Sequence, residues 1–525
     1  MSDEDVERMG GVSDNDPDPP VVDSETDQPS DHFHLTFIIF FLAGIGTLLP
    51  WNVFITERGY FDEKLRVDPY PGYIVNQFES VFGMTFMTAN VIGLVLLVNK
   101  DSLSKVPRAC RVPIPLFCMG ALCCVTAAMT TQQNISGNTI TAITLLTLLA
   151  LGGLTALVQG GSFHDASKLP PKYINALMWG QAVAGVISAA AALASSGVQG
   201  EQDFSAGEES EYLGTARNTA NNSTGGSSMD TTDNTHSTIL TQARVYFTAA
   251  GCVLFVCFAA TSFLNRTEFF KSYCKRETEE SKEEEDIDGD NGDSSNLDSL
   301  ADTETICVPL LPERNGSDLD LESSLSGDTQ RENKKERFET YCYRFSVFAT
   351  FAVTLSVFPA VTSSICARGN VNTNLPCSAN NKNRFLGDLW TPSLFLLFNL
   401  FDLFGRCAAS YFPKKAPKGV TVMTCAISRI LIVPFLLACN VVTAPCVDWA
   451  FPRIFRNSNF TPIASIALLA FTNGHLSSIS MMWGPSTVSL IKKRASEGTL
   501  LTLFLTGGLG VGSAFSYALV AALQR

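Results

Sequence analysis

The sequence predicts an all-α polytopic membrane protein with about eleven transmembrane helices. Apolar runs of 18 or more residues with few charges recur along the 525 residues, and a helix of that length spans the hydrocarbon core of a bilayer. Hydrophobic residues make up 46% of the chain and charged residues only 17%. Because the apolar residues are clustered into these runs, the pattern favours repeated membrane spans over one large globular core.

The predicted spans fall into two groups, six before a long acidic segment and five after it. An odd number of spans would place the two termini on opposite sides of the membrane. In chain order, the predicted spans cover residues 35–56, 76–98, 112–130, 139–164, 173–197, 243–264, 342–363, 387–410, 419–440, 460–485 and 498–522.

The polar stretches divide the chain into four parts. Residues 1–31 and residues 265–340 are acidic and have the composition of disordered segments. Between and after them, residues 32–264 form the predicted N-terminal six-helix bundle and residues 341–525 the C-terminal five-helix bundle. Within the first bundle, residues 198–242 are rich in Ser, Thr and Asn and are predicted to form a disordered, glycosylated outer loop.

The basic residues predict the orientation. They concentrate in alternate loops, which the positive-inside rule assigns to the cytosol. The N-terminus and both acidic segments are therefore predicted to be cytosolic and the C-terminus extracytosolic. The glycosylation sequons at Asn134, Asn221 and Asn222 fall in predicted outer loops, whereas those at Asn265 and Asn315 would be cytosolic and unused, so the sequons agree in part with this orientation. The residues that carry the bias include Lys100, Lys105, Arg108, Lys168, Lys172, Lys271, Lys275, Arg276, Lys334, Lys335, Lys414, Lys415, Lys492, Lys493 and Arg494.

Composition and motifs argue against several functional classes. The fifteen cysteines lack metal-ligand spacing, and no metal or other cofactor is predicted. Cys366 and Cys377 share a predicted outer loop and are candidates for a disulfide. Neither a nucleotide-binding P-loop nor a nucleophile elbow is present, so the sequence does not predict an enzyme. The net charge of −14 does not favour nucleic-acid binding.

The stretch FNLFDLFGR places three polar residues in a predicted span. Asn399, Asp402 and Arg406 are three and four residues apart, so a helix puts them on one stripe. An ionisable side chain at membrane depth costs at least about 2.5 kcal/mol and faces the protein interior or water. The stripe is either a local ion pair that holds two helices together or part of a path for a polar substrate.

Other spans also carry polar groups. GIGTLLPWN contains Pro50 and Trp51 and predicts a kinked helix end that lines a cavity, with an interfacial Trp anchor as the alternative. VQGGSFH places Gln159 beside two glycines, and FTNGHLSS likewise places Asn473 beside Gly474. The glycines also suit close helix packing.

Taken in order, these motifs resemble the equilibrative nucleoside transporter family (solute carrier family 29). The resemblance rests on GIGTLLPWN, Gln159-Gly160, WGQAVAGV from Trp179, FNLFDLFGR, and TNG followed by WGP. It implies a 6+5 major-facilitator-like arrangement with a central site between the two bundles. It also implies facilitative transport of nucleosides, and of nucleobases in some members, by alternating access.

The resemblance further implies a substrate site. Trp51 and Gln159 would contact the base, Asp402 and Arg406 the ribose hydroxyls, with Asn399 as support and Met87 and Leu509 as apolar walls. A flat base suits stacking and amide pairing, while a carboxylate and a guanidinium can bracket hydroxyl groups.

Two rival functions remain open at this stage. One is a polyspecific transporter of organic cations or monoamines, a branch that carries Tyr in place of Trp51 and Glu in place of Gln181. The other is a membrane receptor or scaffold whose polar stripe is structural. The expected partners are purine and pyrimidine nucleosides and the lipid bilayer, with a monomeric transport unit. The plasma membrane is the favoured location, and an endosomal or lysosomal membrane is the alternative.

Overall fold

Every regular element in the described part of the chain is a helix. The computed structural model describes residues 30–57, 60–61, 72–98, 103, 106–132, 136–217, 229–290, 322–367, 385–413, 415–439 and 458–523.

The first half consists of six long helices followed by a helix in the linker. They are α1 (Leu35–Thr56), α2 (Gly72–Val98), α3 (Pro113–Met129), α4 (Gly137–Ser167), α5 (Pro171–Arg217), α6 (Met229–Phe263) and the linker helix α7 (Glu268–Asp290). The second half follows with α8 (Glu322–Val357), α9 (Trp390–Tyr411), α10 (Gly419–Ser428), α11 (Ile432–Ala438), α12 (Phe460–Trp483) and α13 (Ile491–Leu523).

Among the described residues, eleven helical stretches are long and apolar enough to cross a membrane, which confirms the predicted fold class. One of these spans, Gly419–Ala438, is divided into the two short helices α10 and α11, which are joined by a 3-10 turn at Arg429–Leu431. The chain is thus a multi-pass membrane protein.

The two halves repeat the same helix pairing. In the first half α1 packs on α5 and α2 on α4, and in the second half α8 packs on α13 and α9 on α12. Between the halves, α5 packs on α9, and α13 packs on both α2 and α4. The matching pairs agree with a two-bundle arrangement in which the substrate path runs between the halves.

Glycines allow the helix backbones to touch at one crossing in each half. A Cβ atom on Gly180 would lie 2.0 Å from the Phe41 carbonyl oxygen, where α5 crosses α1. A Cβ on Gly474 would lie 2.0 Å from the Asp402 carbonyl oxygen, where α12 crosses α9. In a membrane, such small-residue contacts bring helices close enough for side chains on both to hydrogen bond.

The halves are also joined at the end of the molecule that carries α7. There Asn175 of α5 donates a hydrogen bond to Ser410 of α9. The hydroxyl of Thr499 in α13 lies 3.4 Å from Nδ1 of His164 in α4. These contacts link the ends of four helices, so the two bundles are closed against each other at this end.

The acidic segment 265–340 differs from its prediction, because α7 and the beginning of α8 lie within it. The composition is that of a disordered segment, but aromatic residues in the first turns of α7 give it a packing face. Phe270 lies 6.5 Å from Phe40, and Phe269 lies 5.3 Å from Tyr173, between ring centroids. This apolar face was not predicted, because the segment as a whole is strongly acidic.

The segment 198–242, predicted to be an outer loop, is also helical at its edges, since α5 ends at Arg217 and α6 begins at Met229. The sequons at Asn134, Asn221 and Asn222 lie outside the described residues. Cys366 is disulfide-bonded, while its predicted partner Cys377 lies outside the described residues. The pairing of these two cysteines therefore stays a prediction.

Candidate functional site

The polar stripe on α9 contains a buried ion pair. The Arg406 Nε donates to the Asp402 Oδ2 at 2.7 Å, as expected for residues four apart on a helix. Both residues are about 5% exposed. Buried ions keep their charge only where other polar groups complete their hydrogen bonding, so the partners of this pair determine what it can do.

The second carboxylate oxygen is held by α12. Asn473 Nδ2 donates to Asp402 Oδ1 at 2.7 Å. The two helices are near enough for this bond because Gly405 and Gly474 lie at their crossing. A Cβ on Gly405 would lie 2.1 Å from the Phe471 carbonyl oxygen. The glycine and asparagine of the TNG motif therefore act together, one by allowing approach and the other by binding Asp402.

Arg406 reaches across to the first bundle. Its Nη1 donates to the backbone carbonyl of Met178 at 2.8 Å and to Oε1 of Gln181 at 3.4 Å. In the opposite direction, Trp179 Nε1 donates to the Arg406 backbone carbonyl at 3.1 Å. The WGQ segment of α5 is thus bonded directly to the FGR segment of α9, and the ion pair joins the two halves.

A second buried arginine extends the network. Arg429, in the 3-10 turn between α10 and α11, is 3% exposed. Its Nη2 donates to the Thr354 hydroxyl at 2.7 Å, and that hydroxyl donates to Asn473 Oδ1 at 2.8 Å. A hydrogen-bonded chain therefore runs from Arg429 through Thr354 and Asn473 to Asp402.

Two cations thus share one carboxylate in this network. Arg429 interacts electrostatically with Asp402, which Arg406 already contacts directly. Arg429 also donates to the backbone carbonyls of Thr350 at 2.5 Å and Leu469 at 2.9 Å. These carbonyls help to stabilise the extra positive charge, which would otherwise be costly inside the membrane.

The pair retains unused hydrogen-bonding capacity. Each oxygen of a carboxylate can accept more than one hydrogen bond, and each oxygen of Asp402 accepts one from a side chain. Among the described residues, the Nη2 of Arg406 makes no hydrogen bond. Acceptors and donors are therefore available side by side, an arrangement that suits neighbouring hydroxyl groups.

Asn399 lies on the same face of α9, one turn before Asp402. Its Nδ2 donates to the backbone carbonyl of Phe395 at 2.8 Å. Its Oδ1 faces α5, where a Cβ on Gly185 would lie 2.2 Å from that oxygen. Asn399 therefore lies in the contact between the two halves and occupies the space left by a glycine.

Trp51 lies in a separate, aromatic part of the first bundle. Its ring stacks on Phe86 of α2, with the centroids 4.8 Å apart and the planes inclined by 25°. Trp51 is half-buried, and Met87 packs with it against one hydrophobic cluster. The indole is thus held in place by α2 rather than projecting from a helix end.

The remaining predicted residues occupy other positions. Gln159 of α4 is 6% exposed, and its side chain makes no hydrogen bond within the described part of the chain. Leu509 of α13 packs against a different hydrophobic cluster from that of Trp51. The described contacts place Asn399, Asp402 and Arg406 together along α9, whereas none connects them directly to Trp51 or Gln159.

Sequence reasoning missed Arg429 and Thr354. The signal for Arg429 was present, since no other charged residue lies between Lys418 and Asp448. Thr354 carried no such signal, because threonines are frequent in these spans and only its neighbours give it a role.

Comparisons with known proteins identify the family and the fold. The family model described as "Nucleoside transporter" matches residues 228–521, which is more than half of the chain. A second model, "Solute carrier family 52, riboflavin transporter", matches residues 77–374. The structure is similar to that of the major facilitator superfamily proton:xylose symporter XylE, with a TM-score of 0.50 at 10% identity, covering 94% of this chain and 90% of that one. This similarity supports the fold alone.

Curated relatives span nearly the whole chain. Equilibrative nucleoside transporter 2 of Homo sapiens is 26% identical over 524 residues, covering 95% of this chain and 99% of the relative. Equilibrative nucleoside transporter 1 of Homo sapiens is 24% identical over 521 residues, covering 94% and 98% respectively. Since these relatives cover both bundles and the matched family model covers most of the second, the chain belongs to the nucleoside transporter family.

Proposed function

We propose that the protein carries nucleosides across its membrane down their concentration gradient, by alternating access between two bundles. The observation that carries this proposal is the Asp402–Arg406 pair, which is bonded to both bundles and still has acceptors and donors available for hydroxyl groups. Family membership and the similarity to equilibrative nucleoside and nucleotide transporters support the same function.

In this proposal the ribose binds at α9. A ribose hydroxyl donates to Asp402 and accepts from the Nη2 of Arg406, with Asn399 in support. When the bundles separate, Arg406 loses the Met178 carbonyl and Gln181 on α5. A bound hydroxyl replaces part of that lost hydrogen bonding, so the loaded carrier changes conformation more readily than the empty one.

The base binds on the side of the first bundle. Trp51 supplies a ring face for stacking, which is worth about 1–3 kcal/mol per base in other proteins. Gln159 supplies an amide for pairing with the edge of the base, and Met87 and Leu509 form apolar walls. Residues 32–264 and 341–525 act as the two moving bodies, with the acidic segments on the cytosolic side and a single chain as the transport unit. The plasma membrane is the proposed location, and glycosylation at Asn134, Asn221 or Asn222 would mark its outer side.

Transport is tested with purified protein in proteoliposomes. Radiolabelled uridine should enter until its concentrations inside and outside are equal, and unlabelled adenosine should compete with it. A monoamine should not compete, because Gln181 supplies an amide where a cation site would need a carboxylate. Riboflavin, the substrate named for the second matched family model, serves as a further competitor. Strong competition by the monoamine or riboflavin, or absence of flux, would contradict the proposal.

The ribose contact is tested separately. Asp402→Asn removes a charge-assisted hydrogen bond, worth about 1.5–3 kcal/mol, and should weaken uridine transport by about ten- to a hundredfold. A nucleoside that lacks the 3′-hydroxyl should be transported poorly by the wild type and should lose less on this substitution. Asp165→Asn, at another buried carboxylate (5% exposed), is the matched control and should affect both nucleosides equally. Equal losses with Asp402→Asn would favour a purely structural ion pair.

A further inference from the structure

A cavity of about 260 Å³ lies at the closed end of the molecule, between the two bundles and α7. Three separate segments line it. The first bundle contributes Lys168, in the turn between α4 and α5, and α7 contributes Arg276 and Glu280. The second bundle contributes Arg494, in the first turn of α13. Three cations and one carboxylate therefore surround a single space.

The cations differ in how fully they are paired. Lys168 is 3% exposed in its side chain and binds Glu277 of α7 at 2.7 Å. The Arg494 Nε donates to the Val488 carbonyl at 2.6 Å, and the Arg276 guanidinium lies 5.7 Å from the centre of the Tyr273 ring. Within the described part of the chain, neither arginine is ion-paired with a carboxylate. Two guanidinium groups thus remain able to bind an anion.

Among the described residues that line the cavity, the one carboxylate is already engaged. Glu280 Oε2 accepts the backbone N–H of Ile491 at 3.0 Å, at the beginning of α13. Together with the Lys168–Glu277 bond, this contact ties α7 to both bundles at once. The cavity therefore lies beside a clamp whose parts must separate if this end of the transporter opens.

We propose that this cavity binds a phosphate group, presented either by a soluble phosphate compound or by a lipid headgroup. Arginine forks match phosphate oxygens in a bidentate manner. The cavity volume of about 260 Å³ is enough for a phosphate ester or a pyrophosphate. The lining lies at the ends of the membrane spans Gly137–Ser167 and Ile491–Leu519, at the level where lipid headgroups lie.

A bound phosphate would hold the two bundles together. Arg276 and Arg494 come from the linker helix and the second bundle, and Lys168 comes from the first, so one ligand contacts all three bodies. A ligand shifts a conformational equilibrium by its difference in affinity for the two states. Phosphate binding therefore favours the state closed at this end and slows transport. Only this coupling rests on the proposed transport function; the binding does not.

Binding is measured on the full-length protein without any transport assay. In neutral-lipid nanodiscs, inorganic pyrophosphate should raise the thermal unfolding midpoint in a saturable manner at constant ionic strength. Arg276→Gln and Arg494→Gln should each weaken its binding at least tenfold. Lys275→Gln and Lys492→Gln, beside them in sequence and exposed, are matched controls and should retain it. Glu280→Gln should tighten binding, a result that a purely structural role for the cluster does not predict.

Parallel measurements in nanodiscs of different lipid composition distinguish the two sources of phosphate. If the ligand is a headgroup, nanodiscs with phosphatidylinositol 4-phosphate, which carries a phosphomonoester, should stabilise the wild type but not the two arginine variants. Phosphatidylserine, whose phosphate is a singly charged diester, should have little effect. If it is soluble, pyrophosphate alone should suffice. The proposal is overturned if neither probe stabilises the wild type, or if arginine variants and lysine controls respond alike. Loss of uridine flux with normal pyrophosphate binding would count against the transport function and leave this site standing.

Discussion

The two halves of the protein contribute different chemistry to the proposed site. The first half presents an aromatic surface, in which Trp51 stacks on Phe86 at 4.8 Å. The second half presents a charged network, in which Arg406 binds Asp402 at 2.7 Å and Asn473 holds the other oxygen. Stacking tolerates small displacements, whereas hydrogen bonds weaken steeply when their geometry changes.

This difference suits the two parts of a nucleoside. Bases differ in their edges but all have a flat face, so an aromatic surface can accept many of them. The ribose is common to all nucleosides, and a directional network can demand its hydroxyls. A transporter with both surfaces can accept nucleosides with many different bases and still select for the hydroxyl groups of the sugar. The comparison therefore predicts larger losses from changes in the network than from changes in the aromatic surface.

The largest effect is expected from removing the shared carboxylate. Asp402→Leu leaves Arg406 and Arg429 buried together without an anion and should destabilise the protein by about 3–5 kcal/mol. Arg406→Leu should cost less, because Asp402 then still interacts with Arg429. Thermal unfolding of the purified protein measures both.

The control for this pair of variants is Lys275→Gln. It breaks an exposed ion pair with Glu279, 3.6 Å long with side chains 79% and 56% exposed, and should change stability by less than about 1 kcal/mol. If Arg406→Leu proved more destabilising than Asp402→Leu, Arg429 would not share the carboxylate.

A second, smaller effect is expected at the crossing that positions the network. In Gly474→Ala the new Cβ would lie 2.0 Å from the Asp402 carbonyl oxygen, so α9 and α12 must separate. The cost should be about 1–3 kcal/mol, with reduced uridine uptake because Asn473 moves away from Asp402. Gly510→Ala is the matched control, since nothing lies within 4 Å of its Cβ position. Equal uptake by both variants would show that the close approach is unnecessary.

The aromatic surface should respond more gradually. Trp51→Phe keeps a ring face on Phe86 and should retain partial transport. Trp51→Ala removes it and should weaken nucleoside binding by about 1–3 kcal/mol. Competition of unlabelled uridine for uptake measures the difference. If the two variants behaved identically, Trp51 would be an interfacial anchor and the aromatic surface would not contact the base.

A further, pH-dependent effect concerns a carboxylate on the aromatic side. Burial raises the pKa of Glu57 from 4.5 to about 7, so the folded state holds this proton more tightly than the unfolded state. Stability from this group is therefore full below about pH 4.5 and declines as the pH rises towards 7. Unfolding midpoints from pH 5 to 8 should fall less steeply in Glu57→Gln than in the wild type. Glu279→Gln, at an exposed position, should leave the slope unchanged; an unaltered slope in Glu57→Gln would contradict the buried proton.

Local patterns predicted much of this molecule from its sequence. The eleven spans were predictable because a bilayer demands long apolar runs with satisfied backbones, and such runs are visible along the chain. The stripe of Asn399, Asp402 and Arg406 was predictable because helix geometry alone places residues three and four apart on one face. The ion pair within it follows from the same spacing. The helix α7 was not predicted, because its aromatic face lies within a strongly acidic segment.

What the sequence by itself determined is the set of spans and the polar residues that each one carries. Only the tertiary structure decided which of these residues meet. Asn473 reaches Asp402 across 71 positions and Arg406 reaches Met178 across 228, and both contacts depend on how closely the helix backbones pack. Arg429 likewise acquires its role only when α8 and α12 bring Thr354 and Asn473 between it and Asp402. Helix periodicity is a local property, whereas the sharing of a buried charge depends on packing between distant segments.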